Sequence, residues 1–160
     1  MEEGACLLAF ARSAGMPVFH AIHHSRPGSA VFDPRGDGAR FIDELAAAAG
    51  ETVLVKSLPN AFASTELAQR IRSVACREIV IAGFATHMCV SATVRAALDL
   101  GFRATVVAAA TATRDLPNPL GAGVITAQSI QQGTLAALAD RFAIVVQDTA
   151  ALATSSRPPT

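Results

Sequence analysis

Ile79-Val80-Ile81-Ala82-Gly83-Phe84-Ala85-Thr86-His87-Met88-Cys89-Val90 passes from an apolar run, through a glycine-marked turn, into a stretch with helical spacing. A short Val/Ile-rich segment of this kind suits a strand buried on both faces, and the helix that follows it makes half of a βαβ unit. The turn between them sets a cysteine where a helix begins. The first-turn N–H groups of a helix lack intrahelical partners and its dipole is positive there, which favours a thiolate over a thiol and could also hold an oxyanion. Cys89 is therefore a candidate nucleophile, to be weighed against an ordinary packing cysteine, since free Cys is among the most buried residue types.

Outward from this unit the pattern repeats. Strands are expected at Pro17–Ile22, Thr52–Lys56, Glu78–Ala82, Arg103–Ala108 and Ala143–Gln147, alternating with helices. The first helix is expected to occupy roughly Glu2 to Ala14, with Glu2 and Glu3 as solvated charges that complement its N-terminus. In Ser64–Ala75 the apolar residues Leu67, Ile71 and Val74 fall on one stripe, with Ser64 or Thr65 available as N-cap. After Cys89 the stripe is Val90, Val94, Ala97 and Leu98, and Gly101 is placed to end the helix in a left-handed conformation. Alternation of this sort implies a three-layer α/β/α fold with a mostly parallel, Rossmann-like sheet.

Two stretches lack a regular pattern. Ser25–Gly38 carries Pro27, Gly28, Pro34, Gly36 and Gly38, and reads as a surface loop placed to cover a pocket. Thr111–Gly123, with Pro117, Asn118 and Pro119, reads as a second loop at a rim of the sheet. One domain is expected over residues 1–154, followed by a polar, proline-bearing tail at 155–160 that is expected to be disordered.

Composition narrows the function classes. With 160 residues, 51% of them hydrophobic, the chain can bury one sizeable core. Lys plus Arg and Asp plus Glu stand at 13 each, so no overall field steers the chain towards nucleic acid or an anionic membrane, and a small-molecule partner is the default. Three irregularly spaced cysteines make no disulfide framework, and the N-terminus lacks a signal-peptide pattern. A cytoplasmic setting is expected. No apolar run reaches the ~20 residues of a membrane span.

Lys56 is the second residue that invites chemistry. It closes the apolar run Val53-Leu54-Val55, and the carboxyl edge of a parallel sheet is where open α/β folds bind ligands. The plain alternative is a lysine emerging into solvent.

The segment Gly83–Val90, the preceding Val53-Leu54-Val55-Lys56, and Pro59-Asn60-Ala61-Phe62 together resemble the isochorismatase-like cysteine hydrolases, the superfamily that includes nicotinamidases and N-carbamoyl amidohydrolases. The resemblance runs from the first helix, through Gly15-Met16-Pro17-Val18-Phe19-His20, to Asp140-Arg141-Phe142-Ala143. It implies hydrolysis of a C–N bond in a small amide or ureide through a thioester. Cys89 would be the nucleophile, Lys56 its electrostatic partner, and the backbone N–H groups of Ala85 and Cys89 an oxyanion hole. Phe32, Phe62, Phe84 and Thr86 are candidates for the pocket wall, the phenylalanines being nearly as well suited to a core. The resemblance also implies a cis peptide bond at Phe84–Ala85. Cleavage of the isochorismate ether is a weaker alternative, since that branch of the family does not need the cysteine.

The same resemblance calls for a catalytic Asp at the end of a strand ahead of the first helix, and this chain starts at that helix. Without that strand the sheet is expected to show a central gap or an altered order, with strand edges that promote self-association. The chain by itself is then expected to be inactive and a homo-oligomer. A non-catalytic relative that binds a partner is the alternative. Asp33 and Asp37 are the nearby acids, both in an irregular loop.

The histidines His20, His23 and His24 cluster on and after one strand, but the Asp-x-His pair of nicotinamidase-type metal sites does not occur, so a pocket or loop role is expected and no metal. His87 lies in the turn too close to Cys89 to act as its base. Cys6 and Cys76 read as packing residues, and Arg114-Asp115 as an exposed loop pair. Gly121-Ala122-Gly123 is an incomplete dinucleotide fingerprint, and no cofactor is expected.

Overall fold

The computed structural model describes residues 2–155. In chain order these form α1 (Glu2–Ser13), β1 (Phe19–His23), β2 (Thr52–Lys56), α2 (Leu67–Ser73), β3 (Glu78–Phe84), α3 (Ser91–Asp99), β4 (Arg103–Ala112), β5 (Leu116–Pro117), β6 (Val124–Ile125), α4 (Ala127–Arg141), β7 (Ala143–Val146) and α5 (Thr149–Ser155). Two short 3-10 turns, Asp37–Ala39 and Asp43–Leu45, lie between β1 and β2.

The layering follows from alternation along the strands. On β4, Ala104 and Val106 face a cluster with Leu67 and Ile71 of α2, Val94 and Ala97 of α3, and Leu138 of α4. Val107, pointing the other way, meets Leu7 of α1 and Leu152 of α5. Successive side chains of a strand point to opposite faces, so one strand serves both helical layers. Val94, Ala97, Val106, Val107 and Leu138 are fully enclosed. Burying a Val or Leu side chain is worth about 1.5–3 kcal/mol, which makes this sandwich the main source of stability. The three-layer α/β/α architecture with parallel strands is as the alternation implied.

All long strand pairings are parallel, but they fall into two groups. β1 pairs with β2, and β3, β4 and β7 form a second sheet in that order. Among the described residues no ladder joins the two groups. β3 and β4 are not in simple register: from Ile81 to Gly83 β3 advances two residues while β4 advances five, from Val106 to Thr111. Gly83 stands at that bulge with φ +115, a conformation that glycine alone adopts readily.

Several boundaries differ from the sequence reading. β1 begins at Phe19, not Pro17, and β4 runs on to Ala112. α2 begins at Leu67 because Ser64 has φ +57 and leaves the helical path, while the Thr65 hydroxyl accepts from Leu67 N–H. Its apolar stripe stops at Ile71, and Val74, beyond the helix, is exposed. Gly101 does follow α3 with φ +81. The supposed loop at 111–123 contains β5, which pairs antiparallel with β6. Asp115 accepts from Ala127 N–H and so joins this hairpin to the start of α4. Glu3 is no solvated charge: its carboxylate accepts from the N–H and hydroxyl of Thr149 at the start of α5. Apart from Ser155, which ends α5, the tail expected to be disordered lies outside the described residues. No described helix is long and apolar enough to cross a membrane.

Candidate active site

β2 ends on Lys56 and β3 leads into the turn that carries Cys89, so both residues stand at carboxyl ends of parallel strands. The peptide bond between Phe84 and Ala85 is cis. Thr86–Val90 then forms a wide, π-type turn that runs directly into α3. The carbonyl of Ala85 accepts from both Met88 N–H (3.0 Å) and Val90 N–H (3.2 Å). Cys89 therefore lies within this turn, two residues before α3, and not on the first residue of the helix. Such widened turns are frequent at functional sites. The turn is pinned from below by Thr86, which is fully buried and donates its hydroxyl to Ala112 O at the end of β4.

The chain after Lys56 is fixed as firmly. Ala61 N–H donates to the hydroxyl of Thr93 on α3 at 3.0 Å, and Phe62 N–H donates to Asn60 Oδ1. Phe62 stacks on Phe102 and packs against the core. Of the four proposed pocket residues, Thr86 is fully buried and Phe62 is partly buried against the core, whereas Phe32 and Phe84 are exposed.

Lys56 is 6% exposed, which an ammonium tolerates only when its donors are satisfied. It donates to Cys89 Sγ at 3.3 Å and to Leu58 O at 3.0 Å, and its Nζ lies 3.1 Å from His23 Nδ1. Cys89 itself is partly exposed, so a ligand can approach it. Among the described residues no carboxylate pairs with Lys56 or hydrogen-bonds to Cys89.

The two nearby acids are committed elsewhere. Asp33 binds the Arg35 guanidinium, Arg35 N–H and Gly28 N–H, contacts that hold its carboxyl down to about 2. Asp37 pairs with Arg40 at the surface. Asp33 thereby orders the loop that carries Phe32, whose ring meets His23 edge-on with centroids 5.3 Å apart. An open depression of about 390 Å³ lies beside it, lined by Val31, Phe32 and Asp33 among others.

The histidines separate. His20 and His23 differ by three positions along β1 and so project to opposite faces. His20 Nε2 contacts Glu51, which also binds Arg12 and Ala48 N–H, with Phe41 edge-on to the ring. The Arg12 guanidinium, then the Ala48 N–H, hold the Glu51 carboxyl far below the usual carboxylate range. No three metal-ligating side chains converge among the described residues. His87 Nδ1 contacts the Thr113 hydroxyl. Sequence reasoning gave His23 only a pocket or loop role, and the β1–β2 register is the signal that places it opposite Lys56.

The profile of the isochorismatase domain matches residues 1–150. The isochorismatase family protein YddQ of Bacillus subtilis (strain 168) is 33% identical over 145 residues, covering 90% of this chain and 79% of that protein. Maleamate amidohydrolase of Pseudomonas putida KT2440 is 34% identical over 121 residues, covering 67% of this chain and 57% of that enzyme. Among solved structures, an isochorismatase from Pseudomonas putida KT2440 superposes with a TM-score of 0.83 at 40% identity, covering 92% of this chain and 76% of that one. The chain belongs to the isochorismatase family.

Proposed function

We propose that this member of the isochorismatase family of hydrolases cleaves the C–N bond of a small amide or ureide, with Cys89 as nucleophile. The observation that carries the reading is the 3.3 Å contact between Lys56 Nζ and Cys89 Sγ at the carboxyl edges of two parallel strands. The similarity to maleamate amidohydrolase supports an amide as substrate class.

On this reading the thiolate attacks the carbonyl carbon and a C–S bond forms. Negative charge develops on the carbonyl oxygen, where the backbone N–H groups of Ala85 and Cys89 act as donors. The C–N bond then breaks, and the departing amine takes up a proton from water, which balances the one the thiol gives up. Water hydrolyses the thioester to a carboxylic acid and restores the cysteine. Lys56 donates to the sulfur before attack. Its contacts with Leu58 O and His23 aim the ammonium so that the sulfur is not left to find it. Phe32 and the depression beside it offer an apolar wall for the substrate.

The family mechanism moves protons through an Asp, and no carboxylate among the described residues reaches Cys89 or Lys56. That observation favours a second reading, in which these residues persist in a relative that binds without turnover. Ammonia release from a panel of small primary amides and ureides separates the two. Turnover that disappears in Cys89→Ala supports the hydrolase, and its absence throughout the panel supports the non-catalytic relative.

A further inference from the structure

An ammonium has three N–H donors, and those of Lys56 meet three acceptors: Cys89 Sγ, Leu58 O and His23 Nδ1. Two of these directions fix the third. With His23 and Leu58 in place, the remaining N–H points at the sulfur. The His23 contact has a condition, because Nδ1 accepts only when the imidazole is neutral and carries its proton on Nε2. A protonated ring would set an N–H against an ammonium at 3.1 Å.

We propose that His23 is a positioning residue for the Cys89 site: its neutral ring holds Lys56 against the sulfur, and its protonation releases Lys56 and lowers the reactivity of the thiol. This deepens the hydrolase reading by giving the site a proton-controlled support. Register supplies the geometry, since His23 and Lys56 are direct partners across β1 and β2 and their side chains share one face. The charged groups acting on the ring are Lys56 from β2 and His24 from its own segment, while the covering loop presents the uncharged ring of Phe32. Desolvation, then Lys56, then His24 each lower the pKa of His23, so the neutral form prevails at neutral pH.

The test is alkylation of the full chain by iodoacetamide across pH 4.5–8.5, followed on the Cys89 peptide by mass spectrometry, with Cys6 and Cys76 as internal references. Two variants are needed. His23→Asn retains an acceptor oxygen but cannot take up a proton, and His23→Leu removes the acceptor. The expected result is a wild-type profile at Cys89 that falls more steeply with acid below 6.5 than that of His23→Asn, with the neutral-pH rate kept in that variant. His23→Leu should react about tenfold more slowly at Cys89, on the scale of losing one hydrogen bond to a charged group. Its Cys6 and Cys76 rates should not change. The proposal is overturned if His23→Leu alkylates at Cys89 like wild type. It is equally overturned if the His23→Asn profile falls with acid as steeply as that of wild type, a result that stands even if the leucine variant fails to fold. Alkylation needs no amide, so either result leaves the hydrolase reading to its own assay.

Discussion

His23 and Lys56 face one another twice, as register partners across β1 and β2 and again through their side chains at 3.1 Å. That coupling makes folding sensitive to pH in a defined window. His23 has a lower pKa in the folded chain than its ordinary 6.5, so as pH falls below 6.5 the unfolded chain takes up the proton first. Stability is therefore full above 6.5 and is lost as pH falls from there through the folded value. Asp33 and Glu51 are also shifted down, but their contributions are complete above about 4.5 and fade only in stronger acid. Thermal melts between pH 5 and 8 should show a decline for wild type that is smaller in His23→Asn.

Glu3 and Thr149 join the two ends of the described chain. The Glu3 carboxylate accepts from both Thr149 N–H (2.7 Å) and its hydroxyl (2.6 Å), and so caps the start of α5. Removing such a cap costs about 1 kcal/mol. Glu3→Ala should lower the melting temperature by about 2–4 °C. Faster amide exchange over residues 149–155 would place the loss at α5, and unchanged exchange there would contradict the capping role.

Ala75 follows α2 with φ +53, the left-handed position where helices usually place glycine. A residue with a Cβ is disfavoured there by about 1–2 kcal/mol, partly offset by the greater freedom of glycine in the unfolded chain. Ala75→Gly should stabilise the protein by about 0.5–1 kcal/mol in denaturant titrations. A loss of stability would show that Ala75 makes a contact worth more than the strain.

The parts that could be read without the fold are those in which local pattern and long-range packing agree. Val94 and Ala97 on α3, and Leu67 and Ile71 on α2, lie on apolar stripes and are buried together. Lys56 and Cys89 stand out because each ends a strand or opens a helix at a sheet edge. What could not be read depended on register or on very short elements. The 28 residues between His23 and Thr52 hide the pairing that sets His23 on Lys56. Two-residue strands such as Leu116–Pro117 have no period to detect, and Pro117 argues against a strand by itself. Glu3 looked like a first-turn charge because its partner, Thr149, is 146 residues away.

The most direct measurement of the central claim is intact-mass spectrometry of the full chain, quenched with acid during incubation with an amide that it hydrolyses. An acyl adduct that maps to Cys89 and is absent from Cys89→Ala, together with loss of ammonia release in that variant, is the result the account predicts. Ammonia release by Cys89→Ala at the wild-type rate would contradict it.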